Sequence, residues 1–322
     1  MSSENRPAAG KRQKSTGLAQ GPAAPGVAKV DPILVVDGVE RHFGGLTAVN
    51  VEHLEIPRGA ITALIGPNGA GKTTLFNLLC GFDKPNSGRW EYDGRNLAGI
   101  PSFKVARMGQ VRTFQLTKAL SLLTVLENMK LGSPDQPGER FWQSLIPAIW
   151  KKKEVEIEQK ARELLTLFKL DAKAQDFAAA LSGGQRKLLE MARALMSDPQ
   201  LVMLDEPMAG VNPALTQSLL DHILGLKDRG MTVLFVEHDM HMVRHIADWV
   251  VVMAEGRVVA EGPPETVMED PAVVDAYLGA HQDVDLGEVT GRISVVSDAD
   301  AVRVRERIEA EAEAELEEEE KS

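Results

Sequence analysis

The segment GPNGAGKTT, from Gly66 to Thr74, has the residue types and spacing of a phosphate-binding loop. It fits the pattern Gly-x4-Gly-Lys-Ser/Thr and lies between the apolar run 61–65 and the helix-like LFNLLC. Its three glycines would let backbone N–H groups turn inward around phosphate oxygens, where a Cβ would crowd the ligand. The segment therefore predicts a cradle for a nucleotide phosphate.

Two side chains at the end of this loop are suited to phosphoryl chemistry. Lys72 is predicted to reach the β- and γ-phosphates, and the Thr73 hydroxyl is predicted to bind Mg²⁺. The alternative is a tight glycine turn, but strand, loop, Lys-Thr and helix in register argue against it. ATPases, GTPases and nucleotide kinases all remain open at this point. The predicted nucleotide contacts are Gly66, Asn68, Gly69, Ala70, Gly71, Lys72, Thr73 and Thr74.

Two adjacent acids follow the apolar run 201–204. A carboxylate at the end of a buried strand can hold Mg²⁺, and a second beside it can orient and polarise an attacking water. We assign Asp205 to the metal and Glu206 to the water. Such a pair would also suit a plain turn at a strand end.

The segment LSGGQRK, residues 181–187, places a serine and two glycines before a strongly periodic helix. This arrangement predicts a second phosphate-binding helix N-terminus. The alternative is an ordinary N-cap serine with a glycine turn. The order of the motifs favours phosphate binding, because the glycine loop, LSGGQ, LVMLDE and then His238 after the run 232–236 follow one another along the chain.

With this set of motifs the chain resembles the ABC ATPase family over about residues 33–280. In that family LSGGQ contacts the γ-phosphate held by the other subunit, so two chains enclose two ATP molecules. The resemblance makes nucleotide-binding residues of Ser182, Gly183, Gly184 and Gln185, with Ser182 and Gly184 acting on the partner's nucleotide. It also implies ATP and Mg²⁺ as cofactors.

Further roles follow from the same resemblance. Gln115, in VRTFQL, matches the glutamine that touches magnesium and water and relays the nucleotide state, and His238 matches the γ-phosphate sensor. Phe43, in RHFGG, matches the residue that stacks on adenine, where Tyr is more usual. The predicted catalytic residues are Glu206, His238 and Gln115, and the predicted metal ligands are Thr73, Gln115 and Asp205. Asn212 departs from the family, which usually has Asp there.

A closer resemblance is to the longer ATPase subunit of branched-chain amino acid importers. It is carried by FGGLTAVN (43–50), ARMGQVRTFQ (106–115), AGVNP (209–213), VEHDM (236–240) and DAYLG (275–279). It implies a heterodimer with a second, shorter ATPase, two membrane permeases and, indirectly, an external binding protein. One alternative is the ATPase of a urea or lipopolysaccharide system. Another is a soluble ABC ATPase acting on nucleic acid or ribosomes. The single set of motifs argues against it, because such proteins usually join two ATPase domains in one chain.

The predicted fold is α/β. Apolar runs at 61–65, 201–205, 231–236 and 249–253 predict buried strands, and repeats of Leu215, Leu219 and Ile223 predict a helix after Pro213. Between about 116 and 180 the strand signals vanish. We therefore expect an ABC-type P-loop NTPase with a mixed sheet, an inserted all-helical subdomain and an antiparallel β region.

The net charge of −11 is unevenly distributed. Residues 1–30 carry +4 and are predicted to be a disordered basic arm, 31–280 carry −6 and form the nucleotide-binding domain, and 281–322 carry −9 in an acidic tail of helix-forming composition. The acidic body argues against nucleic-acid binding. No apolar run reaches the length of a bilayer span or a secretory signal, which predicts residence in the cytoplasm. The resemblance to importer ATPases implies a peripheral position on the cytoplasmic face of the plasma membrane. Cys80 is predicted to be an ordinary buried thiol.

Overall fold

The computed structural model describes residues 18–19, 22–113, 120–134 and 147–279. All of them lie in the first of two units of the chain, residues 1–280, and the predicted tail from 281 onward lies outside them. The strands are Pro32–Phe43 (β1), Leu46–Pro57 (β2), Ile61–Ile65 (β3), Ser87–Tyr92 (β4), Arg95–Asn96 (β5), Gln110–Arg112 (β6), Leu201–Asp205 (β7), Thr232–Val236 (β8), Trp249–Ala254 (β9) and Arg257–Gly262 (β10). The helices are Lys72–Leu79 (α1), Ser102–Arg107 (α2), Val125–Lys130 (α3), Pro147–Leu167 (α4), Gly183–Ala194 (α5), Pro213–Asp228 (α6), Met240–Ile246 (α7), Pro264–Val267 (α8) and Pro271–Gly279 (α9).

A six-stranded sheet with the order β10-β9-β3-β8-β7-β6 forms the centre of this unit. Its strands are parallel except for β10, which pairs with β9 in the antiparallel sense. The four predicted buried strands are confirmed as β3, β7, β8 and β9. Because parallel strands end at one edge, the loops after β3, β7 and β8 meet there, where α/β sheets bind ligands.

Both faces of this sheet are covered, which explains the continuous apolar runs. On β7, Val202 and Leu204 face a cluster built with helices α4, α5 and α6. Leu201 and Met203 face a second cluster, which α1 and the four-stranded antiparallel sheet β2-β1-β4-β5 complete. Cys80 lies in the second cluster as a buried free thiol, as predicted.

The helical segments agree with the predicted periodicity. Asn212, the departure from the family pattern, is the N-cap of α6, and its side chain accepts a hydrogen bond from the Leu215 N–H at 2.9 Å. Leu219 and Ile223 on that helix are fully buried. Between 120 and 181 the described residues form helices and short helical turns without a regular strand, as the predicted helical insertion requires. Among the described residues no helix has the length and apolar character needed to span a bilayer.

The prediction of a disordered arm through residue 30 was wrong at its C-terminal end. Lys29 is 1% exposed, and its ammonium donates to Glu261 at 2.8 Å and lies 4.6 Å from the centre of the Trp249 ring. The Val27 N–H donates to the same carboxylate at 3.0 Å. A basic residue among Ala, Gly and Pro indicates a solvated segment, but a buried acid far along the chain attaches this one to the β9–β10 hairpin.

Candidate active site

The loop between β3 and α1 is shaped by its three glycines. Gly66, Gly69 and Gly71 have φ values of 150°, 81° and 94°, in the region that disfavours other residues. A Cβ at Gly66 would lie 2.1 Å from the Met253 carbonyl oxygen, and one at Gly71 would lie 2.2 Å from that of Ala48. Gly66 and Gly71 are therefore required by the neighbouring backbone as well as by their own backbone conformation.

Lys72 begins α1 and folds back over this loop. Its ammonium donates to the carbonyl oxygens of Gly66 at 2.7 Å and Pro67 at 2.8 Å. Burial lowers the pKa of Lys72, while the negative charges of Glu206 and Asp205 act in the opposite direction. The sheet topology places the predicted phosphate-binding lysine, after β3, and the predicted acid pair, at the end of β7, at the same edge.

The first turn of α1 has features that fit a phosphate group. Its N-cap residue, Gly71, provides no side-chain hydrogen bond, so the first N–H groups of the helix have no side-chain cap. Thr73, in that turn, is exposed, as are Asn68 and Gly69 in the loop before it. An exposed hydroxyl, a lysine and uncapped amides are groups that suit an anion at a helix N-terminus.

Asp205 ends β7 and is 7% exposed. Its carboxylate accepts a hydrogen bond from Arg112 at 2.6 Å, and the same guanidinium donates to Asn77 on α1 at 2.6 Å. Arg112 therefore connects the acid to the helix that follows the phosphate loop. Arg112 was not among the predicted site residues, although it lies three positions before the predicted Gln115, and this proximity was a signal for it.

Glu206 has a left-handed backbone with φ 45°, which costs a non-glycine residue about 1–2 kcal/mol. Its N–H donates to the Val236 carbonyl at 3.1 Å, so β8 holds the residue in place. Strained non-glycine backbone persists where its surroundings enforce it, and here β8 supplies that constraint beside the predicted metal ligand.

The LSGGQ segment forms the start of α5. The Ser182 hydroxyl accepts from the Gln185 N–H at 3.3 Å, and the Gln185 side chain accepts from the Ser182 N–H at 3.0 Å. Gly183 is exposed, whereas Gly184 is buried, and a Cβ there would lie 1.9 Å from Leu215 Cδ2. Among the described contacts, Ser182 and Gln185 serve as a capping box, and Gly184 allows α6 to approach closely.

Of the three remaining predicted residues, His238 and Phe43 lie in the described part of the chain and Gln115 does not. His238 follows β8 with its side chain 69% exposed, and its Nδ1 is 3.8 Å from Glu237. Phe43, at the end of β1, is 49% exposed, with the Arg41 guanidinium 4.5 Å from its ring centre. Gln115 lies outside the described residues. A second missed residue is Glu237, which is 2% exposed, and the end of an apolar run was the only signal of its burial.

The described residues contain no group of three or more His, Cys, Asp or Glu side chains that could hold a metal ion by themselves. A hydroxyl such as that of Thr73 and a single carboxylate such as that of Asp205 do fit Mg²⁺, which keeps several waters and is commonly held by one or two carboxylates plus substrate phosphates. The donor set therefore fits a metal that is bound together with a nucleotide.

Comparison with known proteins agrees with this site. The family model described as "ABC transporter" matches residues 49–209, and one described as "Branched-chain amino acid ATP-binding cassette transporter" matches residues 257–283. The probable branched-chain amino acid transport ATP-binding protein LivG of Archaeoglobus fulgidus is 43% identical over 248 residues, covering 77% of this chain and 96% of that protein. BraF of Pseudomonas aeruginosa, a high-affinity branched-chain amino acid transport ATP-binding protein, is 41% identical over 251 residues, covering 77% and 98%.

Solved structures show the same relationship. A nucleotide-free ATP-binding cassette from an ABC transporter superposes with a TM-score of 0.67 at 37% identity, covering 76% of this chain and 98% of that one. An ATP-binding cassette in its ADP conformation gives 0.67 at 38% identity, covering 77% and 99%. The chain belongs to the ABC transporter family, as an ATP-binding and ATP-hydrolysing subunit. The predicted fold class and ATPase activity are confirmed, and such subunits work with membrane permeases.

Proposed function

We propose that this chain hydrolyses ATP with Mg²⁺ to drive a membrane importer of branched-chain amino acids. The observation that carries the proposal is that Lys72, after β3, and the acids Asp205 and Glu206, at the end of β7, lie at the same edge of a parallel sheet. The amino acid cargo is supported by the relatives' names and by the family model that matches residues 257–283.

Each group of the site has a distinct task in this proposal. The 66–74 loop and Lys72 hold the phosphates, and Thr73 and Asp205 hold the metal, which would neutralise charge on the phosphate oxygens. Glu206 orients and polarises the attacking water, His238 senses the γ-phosphate, and Phe43 stacks on adenine. Ser182 and its neighbours in LSGGQ, and Gln115, take their family roles at the partner's nucleotide and in the relay.

We further propose a heterodimer with a second, shorter ATPase on the cytoplasmic face of the membrane, with two permeases fed by an external binding protein. A cleft of about 370 Å³ between α2, α3, β6 and α5 supports contact with a permease. Phe103 and Leu131 line it and are 58% and 51% exposed. Arg112 also lines this cleft and donates to Asp205. A partner bound in the cleft would therefore be connected to the proposed metal ligand through a single side chain, that of Arg112.

The test is uptake of radiolabelled leucine and, in parallel, urea by source cells depleted of other leucine carriers, whose only copy of this chain carries Lys72→Ala. We expect selective loss of leucine uptake. The matched control is Lys160→Ala, since Lys160 also donates to a carbonyl oxygen, that of Met196 at 2.9 Å, but outside the site. Loss of ATP hydrolysis by the purified variant with intact leucine uptake would contradict the cargo, and selective loss of urea uptake would replace it.

A further inference from the structure

The segment after β7, residues 206–210, which we call the catalytic loop, is held by an ammonium group from another element. Lys187 of α5 donates from its Nζ to the carbonyl oxygens of Glu206 at 3.3 Å and Pro207 at 3.1 Å, and to that of Ala209. A lysine ammonium has three donors, so these three acceptors account for all of them. Such a contact fixes the course of the loop at three points.

The opposite side of the catalytic loop is held from the end of β8. The buried carboxylate of Glu237 accepts hydrogen bonds from the Met208 N–H at 3.0 Å and from the His238 N–H at 3.3 Å. The loop is thus tied through its carbonyl groups to the LSGGQ helix and through an amide to the segment that carries His238. Lys187 binds the carbonyl oxygen of the left-handed Glu206 itself, and both ties act on the residues that follow it.

The choice of a lysine at position 187 carries a cost that a purely structural contact would not require. The side chain is half-buried, and burial lowers its pKa, although Glu237, Glu190 and Glu206 oppose this. Its direct partners described above are uncharged carbonyl oxygens. An apolar side chain could pack α5 against the loop without desolvating a charge, but it would leave three carbonyl oxygens without this donor. The ammonium instead imposes a specific geometry on the backbone that carries Glu206.

We propose that Lys187 is a positioning residue for Glu206, joining the LSGGQ helix to the catalytic loop. Lys187 lies five residues after Ser182 on the same helix, so a displacement of the start of α5 moves the ammonium that holds the Glu206 carbonyl. The state of the phosphate contact at LSGGQ is thereby linked to the orientation of the hydrolytic carboxylate. This inference depends on the proposed role of Glu206.

The test is a double-mutant cycle with Lys187→Met and Glu206→Gln in the full chain. Single-turnover ATP hydrolysis, binding of a fluorescent ATP analogue and thermal unfolding are measured for each variant. We expect Lys187→Met to slow hydrolysis about 10- to 100-fold, as a displaced catalytic group does, with analogue affinity changed less than about 2-fold. In the Glu206→Gln background the same substitution should slow the residual hydrolysis no further.

Two further variants complete the design. Lys187→Arg keeps the charge and several donors, so it should restore part of the rate, and it carries the cycle if Lys187→Met does not fold. Lys160→Met removes an ammonium that donates to the Met196 carbonyl and to Asp198 away from the site, and it should leave hydrolysis unchanged. Rate losses that multiply in the double variant would overturn the positioning role. Normal turnover by Glu206→Gln alone would instead overturn the role of Glu206 itself.

Discussion

Lys29 and Lys187 are both withdrawn from solvent, but their partners differ in kind. Lys29 is 1% exposed and meets the carboxylate of Glu261, the Trp249 ring and the Val27 carbonyl oxygen. We call Lys29, Trp249 and Glu261 the anchor. Lys187 meets only backbone carbonyl oxygens among its described hydrogen bonds, and the loop that it holds contains a left-handed Glu206.

This difference separates a region that stabilises the fold, the anchor, from a region that can bind a ligand, the edge of the sheet. The positive charge of the anchor is neutralised by a buried acid, so its interactions are complete in the folded chain and their effect is on stability. At the sheet edge Lys72 also donates to carbonyl oxygens, those of Gly66 and Pro67, which a phosphate group can replace. The Lys72 ammonium therefore remains available for a ligand, because a phosphate oxygen can take the place of these carbonyl oxygens. We therefore expect substitutions at the sheet edge to lower turnover, and substitutions in the anchor to lower the free energy of unfolding.

The largest effect is expected for Glu206→Gln, which should separate ATP hydrolysis from ATP binding. Removing the group that polarises water should lower turnover about 100- to 10,000-fold, the usual contribution of a general base, while ATP binding is kept. Phosphate release and binding of an ATP analogue measure the two effects. Asp198→Asn is the matched control, because Asp198 is also an acid on left-handed backbone, with φ 49°, but lies outside the site. Normal turnover by Glu206→Gln would contradict the assignment.

The anchor should show the reverse pattern in Lys29→Met. The substitution leaves Glu261 as a buried charge without its cation, so the free energy of unfolding should fall by about 3–5 kcal/mol. Turnover per folded molecule should remain unchanged. Urea unfolding and ATP hydrolysis measured on the same preparation provide both values.

Lys29→Met/Glu261→Gln is the control for this prediction. The Val27 N–H and the Trp249 Nε1–H donate to different oxygens of Glu261, so the single glutamine oxygen can keep one of these two bonds, while the uncompensated charge is gone. Part of the lost stability should therefore return. A double variant less stable than Lys29→Met would contradict the charge argument, as would a loss of turnover in the single variant.

These two regions also mark what the sequence could and could not predict. The strands and the glycine loop after β3 could be predicted because their signals are local in the chain, and for the same reason the N-cap at Ser182 was available as an alternative to phosphate binding. Lys29 was assigned to a disordered arm because its partner Glu261 is 232 positions away. Arg112 and Asp205 are 93 positions apart. Polar pairs between distant segments leave no periodic pattern, so the fold was easier to predict than the groups that hold the acids in place.

The smallest expected effect concerns Glu237, whose buried carboxylate accepts two backbone hydrogen bonds at the catalytic loop and has His238 Nδ1 3.8 Å away. Burial raises the pKa of Glu237, against hydrogen bonds from the Met208 and His238 N–H groups. A carboxyl with a raised folded pKa contributes stability below its unfolded pKa of 4.5, and this stability is lost as pH rises through the folded pKa. Glu237→Gln removes that loss, so its free energy of unfolding, relative to the natural chain, should increase as pH rises above 4.5. Urea unfolding from pH 4.5 to 7.5 measures the trend. If the difference in free energy of unfolding between the two proteins stayed constant across this range, Glu237 in the loop, like Glu261 in the anchor, would hold its buried charge without loss of stability.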